Sequence, residues 1–174
     1  MTEINGMTYM TDAEKAILPE IEKSPVTYVQ FTQKHNPSEE FRRRVVELHP
    51  TLIRFMHNQS FELRMIAIKK DAMVLPYIEA PCEEMYMAAV NQTWRAIQFI
   101  KEPSQNVLYA AMDQDIMAVK LIAKPSPRVQ VMIVRYNPDA FHLITNPCRA
   151  AVEAYADAFN QRKFNLTPAL VTSK

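Results

Sequence analysis

Pro81-Cys82-Glu83-Glu84-Met85-Tyr86-Met87-Ala88-Ala89-Val90-Asn91-Gln92-Thr93-Trp94-Arg95-Ala96-Ile97-Gln98-Phe99-Ile100-Lys101-Glu102 is one copy of a sequence phase that returns every 22 residues. Pro37-Ser38, Gln59-Ser60, Pro103-Ser104, Pro125-Ser126 and Pro147-Cys148 fall on the same phase without insertion. Apolar residues recur behind each start. Val90, Met112 and Val134 share one offset, and Ile78, Ile100, Ile122 and Ile144 share another. A fixed period in this range marks helical hairpins that bury one face against the next copy. The spacing predicts an all-α chain: an α-solenoid of short hairpins, right- or left-handed, with atypical capping ends.

Each copy begins with signals for a helix N-terminus. Proline is well placed there because it lacks only an N–H that would have no helical partner. Ser38, Ser60, Ser104 and Ser126 are candidate caps, with Asn36, Asn58 and Asn146 as alternatives. A helix of about ten residues at ~1.5 Å per residue follows. His49, Asp71, Thr93, Asp115 and Asn137 then share an offset, and four of these five are good caps for a second helix of about seven residues. Ala67, Ala89 and Ala111 form one small column, and Val74, Ala96, Ala118 and Ala140 another. Phe55, Tyr77, Phe99, Leu121 and Leu143 form a large column expected to fill the core against them. With Gly6 the only glycine, the turns are expected to rely on side-chain caps rather than left-handed glycine.

The ends depart from the phase. Tyr28-Val29-Gln30-Phe31 echoes Ala96-Ile97-Gln98-Phe99, but two extra residues intervene before Pro37. Residues 12–36 are therefore expected as a degenerate hairpin, 37–146 as five repeats, 147–166 as a polar cap helix and 167–174 as a tail. The first ten or so residues are also expected to be loose. The whole chain reads as one domain.

Bulk composition restricts the function classes. A net charge of +1 on 174 residues is less than a dedicated duplex binder would carry. The apolar stretch Met85 to Ile100 is broken by Asn91, Gln92 and Arg95, so no membrane span is expected. Met1 to Asp12 has neither the basic start nor the apolar run of a signal peptide, which points to a cytoplasmic protein. Cys82 and Cys148 lie three repeats apart, too far in a regular stack for a disulfide or a shared metal. His35, His49, His57 and His142 show no metal-ligand spacing, and Glu39-Glu40 and Glu83-Glu84 read as first-turn charges that complement the helix dipole. A single glycine leaves no glycine-rich phosphate loop. No catalytic residue, cofactor or metal is expected.

Two residue sets remain as binding candidates. Arg42, Arg43 and Arg44, extended by Arg64, Lys69 and Lys70, form a basic stripe for phosphate or an acidic surface. Glu39, Glu40, Glu47 and Glu62 offset it, and the column of Arg42 and Arg64 changes to Tyr86, Leu108 and Gln130. Tyr86 and Leu108 fall off the expected core, with Met87 and Tyr109 one residue on and Trp94-Arg95 opening a second helix. Trp, Tyr and Arg are enriched at binding hot spots, so these six are expected as a protein-contact patch.

Pro-Cys-Glu-Glu, Ala88-Ala89-Val90-Asn91 and Ala96-Ile97-Gln98-Phe99-Ile100 resemble an uncharacterised helical repeat of about 22 residues. That repeat (Pro-Ser-x-Glu, Ala-Val-x-x-Asn, Ala-Ile-x-x-Ile) occurs in hypothetical proteins of bacteria, large viruses and bacteriophages. The likeness covers roughly Pro37 to Ile144 and departs from the family's Asn-Gly turn at Leu48-His49, Lys70-Asp71 and Gln92-Thr93. The resemblance implies no catalytic residues. It implies an accessory protein acting by binding, encoded by a phage and placed in the host cytoplasm, with a host or defence protein as a target to inhibit. The expected function is non-enzymatic protein binding. The alternatives are nucleic-acid binding along the basic stripe and self-association through exposed solenoid ends.

Overall fold

In a computed structural model, the described residues are 3–4 and 7–165 for the backbone and 9–161 for side chains. The expected tail at 167–174 lies outside them. The described residues are helical apart from connecting turns and a two-residue antiparallel ladder pairing Glu3 with Thr8 and Ile4 with Met7, where a loose start was expected. Contacts fall into two compact bodies, Met1–Gln92 and Thr93–Lys174.

The N-terminal body contains α1 (Asp12–Lys23), α2 (Val26–Thr32), α3 (Glu39–Leu48), η1 (Pro50–Phe55), α4 (Phe61–Lys70), η2 (Ala72–Tyr77) and α5 (Glu83–Gln92), where η denotes a 3₁₀ helix. The long helices α3, α4 and α5 pack in succession, and η1 packs on η2. The C-terminal body contains η3 (Trp94–Phe99), α6 (Gln105–Gln114), α7 (Ala118–Leu121), α8 (Pro127–Tyr136), η4 (Pro138–Leu143) and α9 (Arg149–Asn165). Here α6 packs on α8, and α8 on α9. The helices α3, α4, α5, α6 and α8 each have ten residues, and each starts 22 after the one before.

Serines begin the long helices. Ser38, Ser60 and Ser104 Oγ accept the N–H of Phe41, Leu63 and Val107 at 3.2 Å, and Ser126 that of Val129 at 3.4 Å. The alternative caps Asn58 and Asn146 instead turn the chain with positive φ of 52° and 57°, as do Ala80 at 43° and Lys124 at 52°. The turns between hairpins thus do use the left-handed region, against expectation, and fill it with residues that carry a Cβ.

Side chains cap the second segment too. Asp71, Thr93, Asp115 and Asn137 accept the N–H two residues on, at 2.9, 3.4, 2.8 and 3.0 Å. His49 takes another role. Its Nε2 lies 3.0 Å from the Ile21 carbonyl and 3.2 Å from that of Glu22, so the ring donates there and ties α3 to the end of α1.

The second segments are shorter and tighter than expected: six-residue 3₁₀ helices in four cases and a four-residue α-helix in α7. Pro50 and Pro138 at the first position and Pro76 inside η2 suit such short runs, which have few i→i+4 bonds to lose.

The small columns are buried, as the phase requires: Ala67, Ala89 and Ala111, and Val74, Ala96, Ala118 and Ala140. Phe41, Leu63, Ile68, Met85, Leu108 and Ile133 fill the space between helices, each contributing about 1.5–3 kcal/mol by burial. The large column does not join them. Phe55 and Tyr77 are exposed and Phe99, Leu121 and Leu143 half-buried. In a turn of three residues Ile53 and Met56 fall above one another and take the inner face, leaving Phe55 a third of a turn away.

Glutamines join successive hairpins. Gln59 is buried, its amide donating to the carbonyls of Ile53 and Tyr77 while its oxygen accepts from Glu79 N–H. Gln92 Oε1 accepts from Ala72 N–H at 2.5 Å, and its amide donates to Lys69 O. Gln114 Oε1 accepts from Trp94 N–H at 3.1 Å in the same way. Each of these last two supplies a partner for the first N–H of a short helix, which no intrahelical bond could satisfy.

Candidate functional site

The arginines of the basic stripe are engaged with the protein itself. Arg42 donates to the carbonyls of His57 at 2.5 Å and Asn58 at 3.3 Å, and pairs with Glu39 at 3.3 Å. Arg64, one copy later, repeats the arrangement, donating to Glu79 and Ala80 at 2.7 and 3.1 Å. Both close a left-handed turn by capturing two of its carbonyls. Arg43 pairs with Glu62 at 3.1 Å and Glu40 at 3.9 Å, and Arg44 with Glu47 at 2.9 Å. Lys69 and Lys70 stand exposed in the last turn of α4. The column fades beyond Arg64 because the later copies fill it differently. Leu108 goes into the core, and Gln130 donates to Pro125 O while accepting from Cys148 N–H.

The six residues expected as a contact patch divide between the bodies. In the N-terminal body, Tyr86 and Met87 of α5 are half-buried. In the C-terminal body, Trp94 is half-buried and Arg95 exposed, with the Arg95 guanidinium 4.5 Å over the indole. Tyr109 stacks on Tyr136 at 3.9 Å, and the Tyr136 hydroxyl donates to Asp113, a bond that holds the phenol above its ordinary pKa. Leu108 is a correction. It is wholly buried, because an apolar side chain beside Val107 on α6 turns inward where Arg42 and Arg64 reach out to a turn.

The exposed surface that sequence reading missed is on the short helices of the N-terminal body. In the N-terminal body Arg54 lies 5.1 Å from the Phe55 ring centre and 5.0 Å from that of Tyr77, on two successive 3₁₀ helices. Met73 is exposed on η2. In the C-terminal body the expected pair Trp94-Arg95 occupies η3, and exposed Met117 stands just before α7. The signal was present as the large column, but an apolar period alone does not say which side of a six-residue helix faces solvent.

Burial opposes ionisation of Glu14, but hydrogen bonds from the Ser38 and Thr11 backbones and hydroxyls outweigh it and hold the carboxyl below its ordinary pKa. Cys82 and Cys148 are free thiols. Among the described residues no three His, Cys, Asp or Glu converge as metal ligands would, and no helix is long and apolar enough to cross a membrane.

Among the described residues, fold and surface define a helical protein in which an arginine lies over an aromatic ring on short helices of each body. Comparison with protein-family models, curated proteins and solved structures finds no significant match.

Proposed function

We propose that this chain is a non-enzymatic helical-repeat module, built as a solenoid, that binds another protein through its short helices. One observation carries the reading: in each body an arginine guanidinium lies over an aromatic ring on the short helices, Arg54 over Phe55 and Tyr77 and Arg95 over Trp94. Arginine and large aromatics dominate interface energetics when a partner removes them from water. Inhibition of a host or defence protein is the role that the resemblance to phage-borne repeats adds. The nucleic-acid reading draws less support, since Arg42, Arg43, Arg44 and Arg64 already have partners within the chain.

A tagged pull-down from lysate, with and without nuclease, tests the proposal. A stoichiometric protein should survive nuclease and be lost with Phe55→Ala/Tyr77→Ala or with Trp94→Ala. Capture that ignores both variants, or recovery of nucleic acid alone, would overturn it.

A further inference from the structure

The two extra residues before Pro37 have a structural counterpart. Where the phase is unbroken, η1 packs on η2. Where it is broken, in the N-terminal body, a groove of about 800 Å³ opens between α2 with the segment after it and η1 with its following turn. Lys34, His35, Arg42, Arg54 and His57 line it, together with Phe55, and no carboxylate does. His35 stacks on Phe31 at 4.5 Å, and Lys34, Arg54 and His57 are exposed. Arg42 pairs with Glu39, but Lys34 and Arg54 have no carboxylate partner among the described residues. The off-phase joint holds open space, aromatic rings and an excess of positive charge.

We infer that this groove receives a short acidic segment of the protein partner, seated between Lys34 and Arg54 and against Phe55. The inference rests on the protein-binding reading above and adds the chemistry of the bound segment. Charge complementarity names the occupant: an acidic chain meets two uncompensated cations and no repelling carboxylate. A single strand of nucleic acid fits less well. Such ligands need a basic groove that follows the backbone past successive stacking rings. Here the arginines that could continue the track, Arg42 and Arg64, are bound to turn carbonyls.

The test is fluorescence anisotropy on the full chain with a labelled Glu-rich peptide carrying one Phe. The same peptide with Gln for Glu and a labelled oligo-dT serve as rival probes. The Glu peptide should bind saturably and weaken as salt rises. Lys34→Glu/Arg54→Glu should reduce its affinity on the order of tenfold or more. Lys23→Glu/Lys101→Glu makes the same charge change at exposed residues outside the groove and should leave affinity within about twofold. Equal thermal midpoints would confirm that all variants fold. Failure of the Glu peptide to bind, equal binding of the Gln peptide, or equal loss with both variant pairs would overturn the inference. Tighter, groove-dependent binding of oligo-dT would also overturn it and assign the groove to nucleic acid. If lysate capture still depends on Phe55 and Tyr77 while the Glu peptide fails, only the acidic segment is refuted. Loss of that capture dependence with the peptide still bound refutes the short-helix reading instead.

Discussion

The Glu14 carboxylate accepts both the backbone N–H of Ser38, at 2.6 Å, and its hydroxyl, at 3.0 Å. Ser38 in turn caps α3, so one buried acid joins the start of the first helix to the start of the third. Glu14→Ala would leave a buried N–H without its partner and should cost about 1–3 kcal/mol, read as a lower urea midpoint. The pH dependence follows from the depressed pKa. Its stabilisation is complete above the unfolded carboxyl's value of about 4.3 and is lost as pH falls through the folded value. Glu14→Gln should remove that part of the acid limb while leaving the neutral-pH slope unchanged.

Gln92 and Gln114 make the same link at the same offset, each in its own body. Alanine at either should cost about 1 kcal/mol, the net worth of a hydrogen bond that satisfies a helix's first N–H. Gln98, exposed and bonded only to the nearby Arg95 carbonyl, is the contrast. Gln98→Ala should stay within about 0.5 kcal/mol of the parent in the same urea titration.

Those glutamines mark where the sequence stops being readable. Ser60, Asp71, Ser104 and Asn137 could be placed as boundary residues because a cap bonds two or three positions away, where spacing is visible. Gln92 bonds a residue 20 positions back, and its side chain would look the same on a solvated face. The Arg42 and Arg64 column was legible as charge, but its carbonyl partners lie 15 and 16 residues on, in turns whose left-handed residues carry no glycine signal. Phe55 and Tyr77 were misplaced for a related reason. Turning outward or inward depends on whether a six-residue segment winds as 3₁₀ or α, and composition does not decide that.

The left-handed turns give a prediction of opposite sign. Ala80 and Lys124 hold φ of 43° and 52° with a Cβ in place, a conformation that costs about 1–2 kcal/mol for an ordinary L-residue. Glycine removes that strain and returns part of the gain through its greater unfolded-state freedom. Ala80→Gly and Lys124→Gly should each raise the unfolding free energy by about 0.5–1 kcal/mol. Asn58→Gly should change little, because asparagine already tolerates this region. Ala88→Gly, inside α5, should instead lower stability by about 1 kcal/mol. Thermal midpoints of the four variants would check the ordering, and a fall for Ala80→Gly would refute the strain.

Leu108 and Arg95 were grouped by sequence and are separated by burial, which makes their variants diagnostic. Leu108 is wholly enclosed, so Leu108→Ala removes packed methyl groups and leaves a void, at a cost of about 2–5 kcal/mol. At temperatures where it remains folded, it should bind the captured partner as the parent does. Arg95 is exposed and held only over the Trp94 ring, so Arg95→Ala should change stability by less than about 1 kcal/mol. Its effect should appear in binding, where an arginine and a tryptophan covered together act as an anchor. Calorimetric titration of both variants with the partner, beside their melting curves, separates the roles. A Leu108→Ala protein that melts like the parent would contradict its burial. An Arg95→Ala protein with undiminished affinity would remove η3 from the contact face.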